Sequence, residues 1–136
     1  MRVVLDVNIL VLALISPGGH PDAIYRAWAE GRFTMLSCAE QLDELRSTLQ
    51  KQRILERIQP HKAGRLLNQI RKLAVSVDAL PRVQRSPDPE DDYLLGLCEA
   101  GEANYLVTGD KSGLLSLERH KATRIVTARE FSELLA

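Results

Sequence analysis

The chain has 136 residues and no net formal charge, and its 45% hydrophobic and 26% charged residues are those of an ordinary soluble globular protein. This length fits a single domain over residues 1–136 with a substantial hydrophobic core. Cys38 and Cys98 form no C-x-x-C pair, which excludes a zinc or redox motif of that kind and favours a reduced, cytoplasmic setting. The apolar N-terminal run is interrupted by Asp6 and Asn8 and is too short to cross a bilayer, so we expect no membrane association.

Strands and helices are predicted to alternate along the chain. The hydrophobic patterns, with Gly and Pro at the breaks, predict strands at residues 2–6, 33–37, 74–77, 105–108 and 124–126. They predict helices at 8–15, 21–30, 39–50, 61–73, 93–100, 113–120 and 128–135, the last capped by Thr127, and a loop at 78–89. This alternation is typical of an α/β protein with a mainly parallel sheet and helices on both faces.

Acidic residues stand at the ends of two predicted strands and at the start of one predicted helix. Asp6 ends the first strand, and Asp110 follows the strand at 105–108. Four acids precede the helix at 93–100, namely Asp88, Glu90, Asp91 and Asp92. Strand carboxyl ends and helix amino ends face the same side of a parallel sheet, so these carboxylates meet at one edge. Converging carboxylates without matching Lys or Arg are costly unless they bind a cation, which predicts a divalent metal site.

The spacing of apolar residues favours Asp91 over Asp92 as the acid that faces inward. Leu94, Leu95 and Cys98 follow Asp91 at i+3, i+4 and i+7, which places Asp91 on their buried face. From Asp92 the same offsets give a less apolar face. Asp91 is therefore the preferred ligand, and Asp92 is the second choice.

For two groups of acids the sequence allows more than one interpretation of their roles. In the helix at 39–50, Asp43 and Glu44 each lie about 130° from the apolar stripe, on opposite flanks, so periodicity does not choose between them. The acids before the helix at 93–100 can also act as N-caps, each contributing about 0.3–1 kcal/mol. We expect capping to explain Asp88 or Glu90.

The charges are unevenly distributed. Between Arg46 and Arg85 there are ten Lys or Arg and two acids, a net charge of +8, which leaves −8 for the rest of the chain. A basic lobe beside an acidic pocket suits an enzyme that cleaves phosphodiesters, and the alternative is a solvated helical face. The basic residues that are candidates for binding substrate phosphates are Arg53, Arg57, Lys62, Arg65 and Lys111.

Several segments of the chain resemble the PIN-domain family. They are VVLDVNILVLALISPGG at 3–19, LDELRSTL at 42–49, DPEDD at 88–92 and NYLVTGDKSGLL at 104–115, and they follow the family's order over essentially the whole chain. The similarity is to the toxin components of toxin–antitoxin systems related to VapC-type ribonucleases. It implies a Rossmann-like three-layer α/β/α sandwich that binds one or two Mg²⁺ or Mn²⁺ ions. It also implies a homodimer controlled by a cognate antitoxin. Arg53, Arg57, Lys62 and Arg65 are candidates for contacting either an RNA backbone or an acidic segment of such an antitoxin.

The resemblance also implies a set of site residues. The family's metal-binding acids fall on Asp6, Glu44, Asp91 or Asp92, and Asp110, so the family pattern selects Glu44 over Asp43. Asn8 is the polar residue of the first motif, and Thr108 takes the Ser/Thr place before the last acid. Val7 departs from the Thr that is frequent in this group, and we expect it to face the core.

These observations predict a metal-dependent endoribonuclease that hydrolyses RNA phosphodiester bonds. Hard oxygen ligands suit Mg²⁺ or Mn²⁺ rather than zinc, and such an ion activates water near neutral pH. No His, Ser or Cys arrangement competes as a nucleophile. One alternative is a PIN fold with a lapsed site that only binds RNA or protein. Another is a phosphatase with Asp6 as the phosphoryl acceptor, but that family would need D-x-D where this chain has Asn8.

Overall fold

The computed structural model of the protein describes all 136 residues, which form seven α-helices and six strands. The strands are β1 (Arg2–Leu5), β2 (Thr34–Ser37), β3 (Val75–Ser76), β4 (Tyr105–Val107), β5 (Arg119–His120) and β6 (Thr123–Val126). The helices are α1 (Val7–Ile15), α2 (His20–Ala29), α3 (Ala39–Leu49), α4 (Gln52–Leu55), α5 (Pro60–Leu73), α6 (Asp92–Gly101) and α7 (Ala128–Leu135). Short 3-10 turns occupy Pro89–Asp91 and Leu114–Leu117.

The six strands form one sheet in the order β3-β2-β1-β4-β6-β5. Every neighbouring pair is parallel except β5 and β6, which are antiparallel. Strand β1 lies between β2 and β4, and Leu5 is in register with Val107. This confirms the predicted α/β fold with a mainly parallel sheet.

Helices cover both faces of the sheet and make a three-layer structure. In β1, Val3 and Leu5 pack into one core with α1, α2, α3, α5 and α7, whereas Val4 packs into a second core with α6. Successive strand residues point to opposite faces, so one short apolar strand serves both cores. Val7 is buried in the first core, as expected.

Two elements differ from the sequence prediction. The predicted helix at 113–120 is wrong. A 3-10 turn ends at Leu117, the next residue, Glu118, has a left-handed φ of 61°, and the chain then enters β5. Strand β5 returns along β6, with Arg119 opposite Arg124. The short helix α4 lies in a basic stretch for which no helix was predicted. The 3-10 turn and helix α4 are each too short to be identified from the periodicity of hydrophobic residues.

The final helix has the predicted cap. The Thr127 side chain accepts a hydrogen bond from the Glu130 backbone N–H at 3.1 Å, and the Glu130 carboxylate accepts one from the Thr127 N–H at 3.1 Å. This reciprocal pair satisfies two backbone donors that the helix itself leaves free.

No single helix is long and apolar enough to cross a membrane. Helices α1 and α2 together have the length and composition for it, but the pair is bent by 100°. The α1 residues Ile9, Leu10 and Val11 are buried in the first core.

Candidate functional site

Asp6 lies at the carboxyl end of β1, where it caps the start of α1. It is only 5% exposed. Its Oδ2 accepts a 2.7 Å hydrogen bond from the Thr108 hydroxyl, and its Oδ1 accepts a longer 3.4 Å bond from the Asn8 backbone N–H. Burial raises the pKa of Asp6 above its ordinary value, and the hydrogen bond from Thr108 opposes that rise. Asp6 is therefore a buried carboxylate held in one orientation by its neighbour.

Asp110 reaches the same edge of the sheet because β4 runs parallel to β1. Thr108, directly after β4, is buried, and its Oγ1 also accepts a 3.3 Å hydrogen bond from the Asp110 N–H. The Oδ1 of Asp110 accepts bonds from the Gly113 N–H at 3.1 Å and from the Ser112 hydroxyl at 3.4 Å. Thr108 thus connects the two acids through a single hydroxyl group.

Glu44 projects from α3 toward the same place, and Asp43 does not. The Asp43 side chain is 78% exposed and pairs with Arg46. Glu44 is half-buried, and its Oε2 accepts a hydrogen bond from the Tyr93 hydroxyl of α6. Burial raises the pKa of Glu44, the bond from Tyr93 opposes the rise, and the negative charge of Asp6 adds to it. The ambiguity that periodicity leaves between these two acids is resolved by packing.

Asp91 and Asp92 have different surroundings. The Oδ1 of Asp92 accepts hydrogen bonds from the backbone N–H groups of Arg85 at 3.1 Å and Ser86 at 2.7 Å, so Asp92 anchors the preceding loop. Asp91 stands at the N-cap position of α6, but its side chain makes no capping hydrogen bond. Burial, followed by the charges of Asp6 and the other nearby acids, raises the pKa of Asp91 to about 7. Asp91 therefore faces the acid cluster, and Asp92 faces the loop.

Four carboxylates from four segments thus converge at the carboxyl edge of the sheet, namely Asp6, Glu44, Asp91 and Asp110. No three acidic, His or Cys side chains are close enough to hold an ion in this arrangement, so ion binding would have to draw the carboxylates together. The donor set consists of oxygens. Burial, followed by the charges of the neighbouring acids, raises the pKa of Asp91, and a bound cation would favour its ionised form. The residues present therefore fit a divalent cation such as Mg²⁺ or Mn²⁺.

The candidate basic residues fall into two separate grooves. Arg53 and Arg57 line a groove that reaches Asn8 and Asp110. Lys62 and Arg65 line a different groove, between α2 and α5, together with Tyr25 and Gln69. Lys111 is exposed beside Asp110. Of these five candidates, Arg53, Arg57 and Lys111 are therefore the ones adjacent to the acid cluster.

Three residues that support the site were not predicted. Tyr93 holds Glu44, and Gly113 lies so close to Asp110 that an ideal Cβ there would be 2.0 Å from Oδ2. Gln41 is fully buried, and its Nε2 donates a 2.7 Å bond to the Leu5 carbonyl at the end of β1. The sequence offered one sign of the role of Gln41, which is that this polar residue lies on the apolar side of a predicted helix. The roles of Tyr93 and Gly113 depend on contacts between distant segments.

Two cysteines and one histidine are buried in the structure. Cys38 and Cys98 are buried, and burial raises their pKa values to about 11 and about 12. Such thiols stay protonated near neutral pH and are poor nucleophiles. His120 is buried in β5, where its Nε2 lies 2.6 Å from a carboxylate oxygen of Glu99.

Comparisons with known proteins agree with this fold. The sequence model of the family described as PIN domain matches residues 2–112. The solved structures similar to this chain include PAE2754 from Pyrobaculum aerophilum, with a TM-score of 0.60 and 20% sequence identity. That alignment covers 98% of this chain and 88% of the other, and at this identity it shows a shared fold. None of the curated proteins matches the chain significantly.

Proposed function

We propose that this chain, which belongs to the PIN-domain family, is an endoribonuclease that depends on one or two Mg²⁺ or Mn²⁺ ions. PIN domains are generally nucleases and usually bind divalent metals. The observation that carries the proposal is the convergence of Asp6, Glu44, Asp91 and Asp110 from four segments of the chain. No Lys or Arg forms an ion pair with any of these four acids. A cation is therefore the counter-charge that this site lacks.

Each residue has a defined part in this mechanism. When bound, a divalent cation supplies activation of water near neutral pH and neutralises the charge that builds up on the phosphate. Thr108 orients Asp6, and Tyr93 orients Glu44, so that their carboxylates are fixed before substrate arrives. Preorganisation of this kind lowers the cost of reaching the transition state. Asp91 and Asp110 complete the ligand set from the other two segments.

The biological context belongs to the same proposal. The motifs around Asp6, Glu44 and Asp110 resemble those of VapC-type toxins, which supports a toxin of a toxin–antitoxin pair. Such a protein acts on RNA in the cytoplasm, as a homodimer, and is controlled by a cognate antitoxin. The basic surface from Arg46 to Arg85 supplies charge of the sign that RNA or an acidic antitoxin segment requires.

A cleavage assay tests the reaction. Mixed RNA and single-stranded DNA pools would be incubated with the protein and Mg²⁺, Mn²⁺ or EDTA, together with the double variant Asp6→Asn/Asp110→Asn. The control is Asp43→Asn, which removes an exposed acid from α3 and lies away from the cluster. We expect metal-dependent cutting of RNA that only the double variant abolishes, with its fold retained.

A thermal melt of each sample separates the alternatives. If no RNA is cut and the ion does not raise the melting temperature of the wild type, the metal site fails and a binding module is the better description. Cutting that persists in EDTA would contradict the metal requirement. Preferential cutting of DNA would contradict the substrate.

A further inference from the structure

A buried chain of hydrogen bonds joins β1, β2 and α3. Gln41 of α3 is fully buried, and Ser37, the last residue of β2, is 3% exposed. The Gln41 Nε2 donates a 2.7 Å bond to the carbonyl of Leu5 in β1, and its Oε1 accepts a 2.8 Å bond from the Ser37 hydroxyl. Because a carbonyl can only accept, one orientation of the amide satisfies both neighbours. We call this chain of bonds the Gln41 bridge.

The bridge lies where β1 and β2 stop pairing. The last register pair between these strands is Val3 with Met35, two residues before Leu5. A buried carbonyl beyond the end of a ladder needs another donor, since leaving it without one is costly. Here the donor comes from the side chain of a helix. The bridge therefore fixes α3 against the end of β1.

Each end of the bridge lies next to an acid of the proposed metal site. Asp6 directly follows Leu5, and Glu44 lies three residues after Gln41, about one helical turn along α3. The negative charge of Asp6 contributes to the raised pKa of Glu44, so the two carboxylates repel each other. This repulsion acts to move α3 away from β1, and the bridge opposes that movement.

We propose that Gln41, oriented by Ser37, is a positioning residue that makes the acid cluster selective for Mg²⁺ over Ca²⁺. The size and flexibility of a site decide between these ions, because Mg²⁺ needs a compact octahedral set of oxygens and Ca²⁺ accepts looser sets. With α3 fixed against β1, rotation of the side chains closes the site around an ion. This inference rests on the proposed function and adds what determines the choice of ion.

A purely structural role for Gln41 predicts a different result. If the amide only satisfied the Leu5 carbonyl, its loss would lower the stability of the protein and affect the binding of both ions alike. The ratio of the Mg²⁺ and Ca²⁺ affinities, measured on the same folded protein, cancels such a general loss. This ratio is therefore the quantity that distinguishes positioning from structural support.

The test measures both affinities by calorimetry. The proteins are the wild type, Gln41→Leu, which keeps a similar volume without the amide, and Ser37→Ala, which leaves the amide without its orienting donor. The matched control is Thr123→Val. Thr123 is buried, and its hydroxyl donates a 2.7 Å bond to the Ala103 carbonyl at the amino ends of β4 and β6, on the opposite edge of the sheet from the acids. Melting curves set a temperature at which every protein is folded.

The bridge variants should lose Mg²⁺ affinity selectively. Gln41→Leu should weaken Mg²⁺ binding about tenfold, the lower end of the range for residues that orient metal ligands, and should change Ca²⁺ binding much less. Ser37→Ala should change the ratio in the same direction by a smaller factor, because the amide remains. Thr123→Val should lower the melting temperature and leave the ratio at its wild-type value. If Gln41→Leu does not fold, Ser37→Ala decides the outcome.

Two results would overturn the role of the bridge. The first is a wild-type ratio of Mg²⁺ to Ca²⁺ affinity in both Gln41→Leu and Ser37→Ala. The second is an equal fall of that ratio in Thr123→Val, which would show that any loss of a buried hydrogen bond loosens the site.

Cleavage assays on the same proteins separate this inference from the proposed function. If the wild type cuts RNA with Mg²⁺ and the bridge variants keep the wild-type ratio, the inference fails and the nuclease stands. If no RNA is cut but the ratio falls in the bridge variants, the inference stands and the nuclease fails. If the wild type binds neither ion, both fail.

Discussion

The hydroxyl of Thr108 donates a 2.7 Å hydrogen bond to Oδ2 of Asp6, joining the residues that follow β4 and β1. Both residues are buried. A buried carboxylate without such a donor would favour its protonated form, so Thr108 helps to keep Asp6 ionised and oriented for a cation.

Replacement of Thr108 tests this relationship. Thr108→Val removes the hydroxyl with little change in shape, and we expect it to cost about 1–3 kcal/mol of stability, because the carboxylate loses its buried donor. The increase in melting temperature on adding Mn²⁺ should also shrink. Thr108→Ser restores the hydroxyl and should recover most of the ion effect. If Thr108→Val and Thr108→Ser show the same increase in melting temperature with Mn²⁺, the hydrogen bond does not position Asp6.

Substitutions at Asp91 and at Asp92 should change the stability of the metal-free protein in opposite directions. Asp91→Asn removes one like charge from the cluster and should stabilise the metal-free protein by about 1 kcal/mol, while it weakens Mn²⁺ binding. Asp92→Ala removes the acceptor for the Arg85 and Ser86 N–H groups and should destabilise the protein by about 1–2 kcal/mol. Urea unfolding with and without Mn²⁺ measures both effects. Stabilisation by Asp92→Ala would contradict the assigned orientations.

Tyr93 is expected to position Glu44. Tyr93→Phe removes the hydroxyl that donates to Oε2 of Glu44 and should lower kcat and the affinity for Mn²⁺ measured by calorimetry. The matched control is Tyr25→Phe, since the Tyr25 hydroxyl donates to Gln69 in the other groove. A loss of Mn²⁺ affinity of equal size in both variants would show that the effect is not specific to Glu44.

Gly113 should tolerate no side chain. A Cβ at this position would lie 2.0 Å from Oδ2 of Asp110, so Gly113→Ala must displace that carboxylate. We expect a weaker Mn²⁺ effect on melting and slower cleavage. The contrasting change is Gly64→Ala in α5, where a Cβ meets nothing within 4 Å and should stabilise the protein by about 0.5–1 kcal/mol. Normal ion binding by Gly113→Ala would show that Asp110 can relocate without cost.

Glu99 should make part of the stability depend on pH. Hydrogen bonds from Lys121 and His120 hold the pKa of Glu99 below its ordinary value of 4.5. Because the folded-state pKa is the lower one, this stabilisation is complete above about pH 4.5 and is lost as pH falls through the folded-state pKa. Glu99→Gln should therefore destabilise the protein at pH 6, and the difference from wild type should narrow below pH 4.5. Melting curves of the wild type and Glu99→Gln at matched pH values measure this. A difference in melting temperature that stays constant with pH would show that the contacts of Glu99 with Lys121 and His120 are unimportant.

The amino-acid sequence by itself determined the order of the main elements and the edge at which acids gather. Its apolar runs are long enough to distinguish strands from helices, and Asp6 and Asp110 directly follow two of those runs. The same periodicity placed Asp91 on the face of Leu94 and Leu95, and both leucines are buried in the second core. These are local properties, because residues within one element share a face by geometry alone.

Only the tertiary structure decided which side chains meet. Asp43 and Glu44 are equivalent on an isolated helix, and the packing of α6 against the same edge selects Glu44 through Tyr93, 49 residues away in sequence. The close contact between Gly113 and the Asp110 carboxylate depends on the path of the chain after β4. Arg53 and Lys62 are separated because their segments line different grooves. Such contacts depend on how elements pack, and periodicity within one element carries no information about its neighbours.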